Sequence, residues 1–429
     1  MTERRIEVRA LARVEGEGAL RVRIRDGEAE IVEFRIFEPP RFFEGLLQGR
    51  AATEAPDITS RICGICPVAY ISSACQAVEQ AWGIEISPEI AALRRMMYCG
   101  EWIQSHVLHA ALLHAPDFLG LHDVIAISEV DPGLVRTALR LKKLGNDLME
   151  VIGGRAVHPV NTRVGGFYKA PDPSEIAALV PELVWGIGAA RNMALRFAAF
   201  DFPEDCGDYT FVALVHPTDY PIETGRIASS TGLDIPVDAF HDHFREEHVA
   251  RSNALHGRMR NGSAYLVGPL ARYALNRERL TPSALRTAEE CGLGPIERNP
   301  FRSILVRMVE VQYACEEALR LARAYVPPDP PAMPVTPRAG VGQGCTEAPR
   351  GICHHRYETD AEGRILNATI VPPTSQNQPQ IEADLARVIR QSLDLDDAAL
   401  QWLCEQTIRN YDPCISCATH FLRLTVDRG

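Results

Sequence analysis

Arg61-Ile62-Cys63-Gly64-Ile65-Cys66-Pro67 and Asp412-Pro413-Cys414-Ile415-Ser416-Cys417-Ala418-Thr419-His420 stand near opposite ends of the chain, and each holds a Cys-x-x-Cys pair. Two residues between cysteines let both sulfurs turn toward one ion. Four thiolates can therefore converge if the ends meet, and such soft ligands suit zinc, Cu(I), iron-sulfur clusters or nickel. A zinc ribbon fits poorly, because ribbons join their Cys-x-x-Cys units across about 15 to 20 residues, not across most of a chain. A thioredoxin-like redox pair needs a βαβ context that Gly64-Ile65 lacks, and it leaves the second pair unexplained. Alone, the two pairs define a thiolate metal site and nothing narrower.

Outward from the first pair, Ala19 to Arg25 and Ala29 to Ile36 alternate apolar and polar residues around Asp26-Gly27, which predicts a hairpin. Apolar residues at three- and four-residue steps predict helices over Val68 to Trp82, Pro88 to Leu113 with Ser87 as N-cap, and Pro132 to Ile152. The same period continues in Ser174 to Phe200, with a restart at Pro181, in Pro282 to Cys291 and in Asn299 to Tyr325, so the middle is expected to be mostly helix. Pro327 to Pro337 reads as an extended connector. A second hairpin is expected over Tyr357 to Val371, turning at Asp360 to Gly363, before helices over Gln380 to Leu393 and Asp396 to Asn410. The expected fold is α+β and predominantly helical, a large helical bundle with peripheral β-hairpins. One domain is expected over 1–429, with a β-rich part to residue 60, a helical body over 61–326 and a C-terminal part over 327–420 that carries the metal motif.

The 429 residues are 46% hydrophobic, enough for a sizeable core, and the net charge of −11 argues against a nucleic-acid surface. No apolar run reaches the roughly 18 residues of a membrane span, and Arg4, Arg5, Glu7 and Arg9 interrupt any signal-peptide core, so a cytoplasmic location is expected. Twelve cysteines in such a chain favour reduced thiols over disulfides. Cys75, Cys99, Cys206, Cys291, Cys315 and Cys404 read as buried free thiols, while Cys345 and Cys353 have no assignment.

Six separate words in one order make the chain resemble the large subunit of nickel-iron hydrogenases. They are Arg13-Val14-Glu15-Gly16-Glu17-Gly18, Arg61 to Pro67, Gly153-Gly154-Arg155 through His158-Pro159 to Gly165-Gly166, Glu347-Ala348-Pro349-Arg350-Gly351, Val371-Pro372-Pro373-Thr374, and Asp412 to His420. The wording of the second and fifth is most similar to the soluble bidirectional, NAD(P)-linked and sulfhydrogenase-type branch. The resemblance implies the large-subunit fold and reversible heterolytic H2 oxidation and proton reduction at a Ni-Fe centre. Nickel would be held by Cys63, Cys66, Cys414 and Cys417, with Cys66 and Cys417 bridging to an iron that carries cyanide and carbon monoxide.

Further roles follow from the same resemblance. Glu15 corresponds to a proton-relay carboxyl near Cys414, with Glu17 as its substitute. Arg350 would lie over the metals, oriented by Asp412; Thr374 would donate to a cyanide, and Pro372 joins them in the cofactor-binding set. Glu44, the Thr369 carbonyl and His420 correspond to magnesium ligands, and His158 to a histidine facing the partner's nearest iron-sulfur cluster. Ser105-His106 departs from an Asp-His pair, leaving the carboxylate canopy incomplete, and Tyr70 stands where many relatives carry histidine. His106, His109 and His114 suggest one helix side and packing more than ligation.

The chain has neither a cysteine set for an iron-sulfur relay nor a Gly-x-Gly-x-x-Gly fingerprint. The resemblance therefore implies an iron-sulfur small subunit and diaphorase-type flavin and NAD(P) subunits. It also implies a maturation endopeptidase that removes Phe421 to Gly429 as a propeptide. The competing expectation is a nickel-free or zinc-filled structural subunit of a respiratory-type complex, whose members lack the paired cysteines.

Overall fold

Asp26 and Gly27 turn the chain with φ of 48° and 83°, joining β2 (Gly18–Arg25) to β3 (Glu28–Ile36) in an antiparallel pair. Positive φ at both turn residues matches the twist of the flanking strands. β1 (Glu3–Val8), which the sequence reading did not mark, pairs along the other side of β2. The computed structural model describes residues 3–419. His420 and the 421–429 segment lie outside the described residues.

The main helices are α1 (Phe43–Leu47), α2 (Pro67–Trp82), α3 (Pro88–Val107), α4 (Pro132–Gly153), α5 (Pro173–Phe197), α6 (Pro269–Asn276), α7 (Pro282–Glu290) and α8 (Ser303–Arg323). Ser87 caps α3 by accepting the Ile90 N–H at 3.3 Å. α3 does not run on as α-helix to Leu113. From Leu108 to His114 the turns widen to π-helix, and Pro116, lacking an N–H, cannot bond the Leu112 carbonyl. α5 passes through Pro181 without restarting, because that proline sits on the exposed face, where the carbonyl it leaves unpaired meets water. α3, α4, α5 and α8 pack on one another as the central bundle.

The helix-dominated 61–326 body needs one correction. Residues 201–268 are largely β and irregular, with β4 (Val212–Val215) on β5 (Arg226–Ser229) and the hairpin β6 (Phe244–His248) and β7 (Leu255–Met259). Four- and five-residue strands are too short to give a periodic signal.

The second hairpin is one half of a three-stranded antiparallel sheet: β8 (Gly340–Ala348), β9 (Gly351–Thr359) and β10 (Ile365–Val371). β8 lies flat on α2. A Cβ at Gly340, Gly342 or Gly344 would collide with the carbonyls of Ala81, Ala77 and Ser73, so alternate glycines let strand and helix backbones touch. The chain then returns through α9 (Pro373–Gln391), α10 (Asp397–Arg409) and the short α11 (Ile415–Ala418). α9 begins seven residues before its expected start, its first turn formed by Pro373-Thr374-Ser375. Among the described residues no single helix is long and apolar enough to cross a membrane.

Candidate metal centre

The ends do meet. A parallel bridge joins Glu15 to Cys414, and the Ile415 N–H donates to the Glu15 carbonyl at 3.0 Å. The sulfurs of Cys63, Cys66, Cys414 and Cys417, all buried, lie within 4.8 Å of one another. Cys63 Sγ is 3.4 Å from Cys414 Sγ, and Cys66 Sγ is 3.5 Å from Cys417 Sγ. The first pair is shaped by its own loop, because the N–H groups of Ile65 and Cys66 donate to Cys63 Sγ at 3.3 and 3.4 Å. Cys66 then caps α2. Hydrogen bonds from the Cys414, Cys417 and Cys66 thiols, aided by the Arg350 charge, pull the Cys63 thiol well below its ordinary range. Burial pushes Cys414 up.

Cys414 Sγ donates to Glu15 Oε2 at 3.2 Å, and the same oxygen receives the Ser416 N–H at 3.0 Å. Burial first, and the negative charge of Cys63 second, raise the Glu15 carboxyl above its usual range. Glu17 is exposed, and its N–H donates to Glu38. Thr374, in the first turn of α9, accepts the Cys414 N–H at 3.0 Å, which leaves its hydroxyl proton to donate elsewhere. Pro372 is buried at the N-cap of α9.

Arg350 sits at the two-residue tip between β8 and β9. Its Nε donates to the Asp412 carbonyl at 2.6 Å and its Nη2 to Asp412 Oδ1 at 3.1 Å. Asp412 takes a left-handed φ of 51° to offer both acceptors. The buried Nη1 of Arg350 has no partner among the described residues, and the guanidinium is close enough to Cys414, Cys66 and Cys63 to feel their charge. The tip is anchored by Arg272, a fully buried residue of α6 that donates to the carbonyls of Ala348 and Pro349, both at 2.9 Å, and to Glu347. Arg272 also forks onto Glu310, which receives the Tyr220 hydroxyl and lies 2.9 Å from His106 Nε2. Burial opposes ionisation of Glu310, but Arg272 and His106 hold it down at about 2.

Sequence reading missed Glu101. One turn before Ser105 on α3, its fully buried carboxylate accepts the N–H groups of Val68 and Ala69 at 2.5 and 3.2 Å, gripping the start of α2 directly behind Cys66. Burial raises its pKa well above the usual range, and the Cys63 charge adds to that. Ser105 Oγ, where the canopy was expected to be incomplete, has no partner among the described residues. The Tyr70 hydroxyl is equally buried and unpartnered, and its neighbours in charge include Cys417, Cys66 and Cys414. A buried acid inside an amphipathic helix carries no sequence signal beyond its depth on the apolar face.

His109 and His114 serve packing. They bond the Arg409 carbonyl and Asn410 Oδ1 at 2.8 and 2.9 Å, fixing the approach to Asp412. His158, with φ of 52°, bonds the Ser60 carbonyl at 2.7 Å beside Gly64 of the first cysteine loop. Glu44 on α1 accepts the Ile370 N–H at 2.7 Å, whereas Thr369 faces Arg356 within the β9–β10 ladder. N–H and C=O of one strand residue point to the same edge, so the carbonyl on the side of Glu44 is that of Ile370, not Thr369. Cys206 is exposed, contrary to expectation; the other five singletons are buried, as are Cys345 and Cys353 on β8 and β9.

A fold that folds back to gather two distant Cys-x-x-Cys pairs under an arginine is that of a thiolate-bound redox metalloenzyme. The chain belongs to the nickel-dependent hydrogenase family, whose profile matches residues 41–137 and 261–420, and it is a nickel-iron hydrogenase catalytic subunit, an oxidoreductase acting on H2. It is 33% identical over 423 residues to sulfhydrogenase 1 subunit alpha of Pyrococcus furiosus, covering 98% of both chains, and 30% identical to sulfhydrogenase 2 subunit alpha of that organism, covering 98% of this chain and 100% of the relative. In fold it matches an NAD+-reducing [NiFe]-hydrogenase crystal structure with a TM-score of 0.85 at 24% identity, over 97% of this chain and 99% of that one. Four clustered sulfurs, with an unpaired buried guanidinium nitrogen beside them, suit a Ni-Fe centre in chemistry and in charge. The nickel-free structural alternative lacks support.

Proposed function

We propose that this chain carries out reversible H2 oxidation with Cys63, Cys66, Cys414 and Cys417 holding nickel, Cys66 and Cys417 shared with the iron, and Glu15 taking the proton that arrives at Cys414 Sγ. When bound, the Ni-Fe centre supplies the heterolytic cleavage of H2. The observation that carries the reading is the 3.2 Å hydrogen bond from Cys414 Sγ to Glu15 Oε2. A carboxyl within reach of the sulfur, its pKa raised by burial, is suited to take and release a proton. Arg350 Nη1 and the Thr374 hydroxyl are the donors available to cyanide and carbon monoxide on the iron, Asp412 fixes the Arg350 fork, and buried Pro372 helps keep water out.

Magnesium is proposed beside Glu44, with the Ile370 carbonyl and His420 as further ligands; the Glu44–Ile370 hydrogen bond supports the pairing. Electrons leave for an iron-sulfur small subunit past His158, and from there to NAD(P) through diaphorase-type subunits. That reading is supported by the likeness to an NAD+-reducing enzyme and to sulfhydrogenase alpha subunits. Cysteines that form no disulfide among the described residues suit a reducing cytoplasm. A maturation endopeptidase acting after His420 completes the proposal.

The test is a pair of variants in the purified complex. Cys414→Ser abolishes H2 uptake and nickel retention, whereas Glu15→Gln keeps nickel and the iron cyanide and carbonyl infrared bands but stops H/D exchange. Undiminished exchange in Glu15→Gln overturns the proton assignment, and zinc without nickel in the native protein overturns the metal assignment.

A further inference from the structure

A small cavity lies in the interior where the starts of α6 and α8 meet the turn after α10, with Ser303, Arg307 and Asn410 on its polar side and Leu270 and Pro300 on its apolar side. It leaves about 20 Å³ for the centre of a water-sized sphere, enough for one water molecule or one monatomic ion. Arg307 is 2% exposed and forms no ion pair among the described residues. Its Nη1 donates to Ser303 Oγ at 2.8 Å, while its Nε has no partner among them. Burial draws its pKa down to about 10, which still leaves the guanidinium a cation at neutral pH. The charges it feels most are already matched with one another, since Asp412 is held by Arg350 and Glu310 by Arg272. A cation buried without a counter-charge is strongly destabilising.

Asn410 supplies a second donor. Its Oδ1 lies 2.9 Å from His114 Nε2, and His114 Nδ1 has no partner, so the ring is best satisfied with its proton on Nε2. That leaves the amide nitrogen of Asn410, a residue 2% exposed, unpartnered among the described residues. The side-chain acceptors around the cavity are engaged. Asn377 Oδ1 takes the Val267 N–H at 2.9 Å, and Ser303 Oγ takes Arg307 while donating to the Asn410 carbonyl at 2.9 Å. A water molecule needs acceptors for its own protons, whereas an anion needs only donors.

We infer that this cavity binds a small monovalent anion of the halide class, chloride in size, held by Arg307 Nε and the Asn410 amide. The ion neutralises Arg307 and ties α8 to the turn that leads into Asp412, two residues beyond Asn410. Sulfate and phosphate, each several times the volume of a water molecule, do not fit the space. The site stands apart from the reading of the metal centre, because no cysteine lines it.

The experiment uses the intact, metal-loaded complex. Crystals grown with bromide in place of chloride show an anomalous peak within hydrogen-bond reach of Arg307 Nε and Asn410 Nδ2. In solution, replacing potassium gluconate by an equal concentration of potassium chloride raises the thermal unfolding midpoint of the unmodified complex by about 2 °C or more beyond the change seen in Arg307→Met. Gluconate is too large for the cavity, and the variant subtracts general salt effects. Asn410→Asp, which sets a carboxylate beside Arg307, loses the bromide peak and the chloride response, and it serves the same comparison should Arg307→Met fail to fold. A water molecule where bromide is expected overturns the site. So does a bromide peak in crystals of a complex whose chloride response in solution is no larger than the variants', which is binding at crystal concentration only.

Discussion

Glu101→Leu removes the only acceptors that the Val68 and Ala69 N–H groups have among the described side chains, at a site without solvent. Each buried N–H left unsatisfied costs about 1–3 kcal/mol, so two cost about 2–6 kcal/mol. Glu101→Gln keeps one carbonyl acceptor but turns an NH2 donor toward the other N–H, since the two N–H groups use different oxygens of the carboxyl. The glutamine variant should therefore lie about 1–3 kcal/mol below the parent, and above the leucine variant, which leaves both N–H groups unsatisfied. Urea unfolding of the metal-free chain, compared at matched slopes, measures the difference. Nickel per chain after maturation gives a second reading, since Cys66 directly precedes the turn that Glu101 holds. A leucine variant as stable and as well loaded as the glutamine one would refute the argument that this carboxyl fixes the start of α2.

Gly342→Ala drives a Cβ into the Ala77 carbonyl and should cost at least the 1–3 kcal/mol typical of overpacking, read as a lowered unfolding midpoint. Arg350→Lys loses the fork onto Asp412 and should lower kcat on the order of 10²-fold or more while nickel stays bound, checked by metal analysis beside H2 oxidation. Glu223, pushed up from 4.5 to about 7 by burial despite Arg94 and Arg95, binds its proton more tightly folded than unfolded. Its contribution is therefore fully present below about pH 4.5 and lost as pH rises through about 7, at most about 3 kcal/mol. Glu223→Gln should flatten that slope in unfolding measured from pH 5 to 8, and an unchanged slope would exclude Glu223 as its source.

The β2–β3 hairpin and most long helices were legible because their signals are local: Asp26-Gly27 carries the turn, and Ser87 and Asp396 carry caps. β8 was not, since the glycines that press it onto α2 are poor strand formers and their reason is tertiary. The start of α9 hid behind Pro372-Pro373, and residues 201–268 behind strands too short to alternate visibly. In the centre, the cysteines, Glu15, Arg350 and Asp412 could be named from their motifs. Glu101 could not, because it acts through its depth and through backbone groups 32 and 33 residues away. Which β10 carbonyl turns toward Glu44 depends on strand parity and register, which the local wording does not encode.

The sulfur pairs are 351 residues apart along the chain. During synthesis Cys63 and Cys66 emerge early and wait, and no closed four-sulfur pocket exists until the final stretch is translated and docked. Contacts of such sequence separation pay the largest loop-closure entropy and form late. Completion of the ligand set is thus a late event: a firmly held nickel reports that the two ends of the chain have docked. Hydrogen exchange at the Ile415 and Ser416 amides, slow only after the last strap has docked onto Glu15, would time that moment directly.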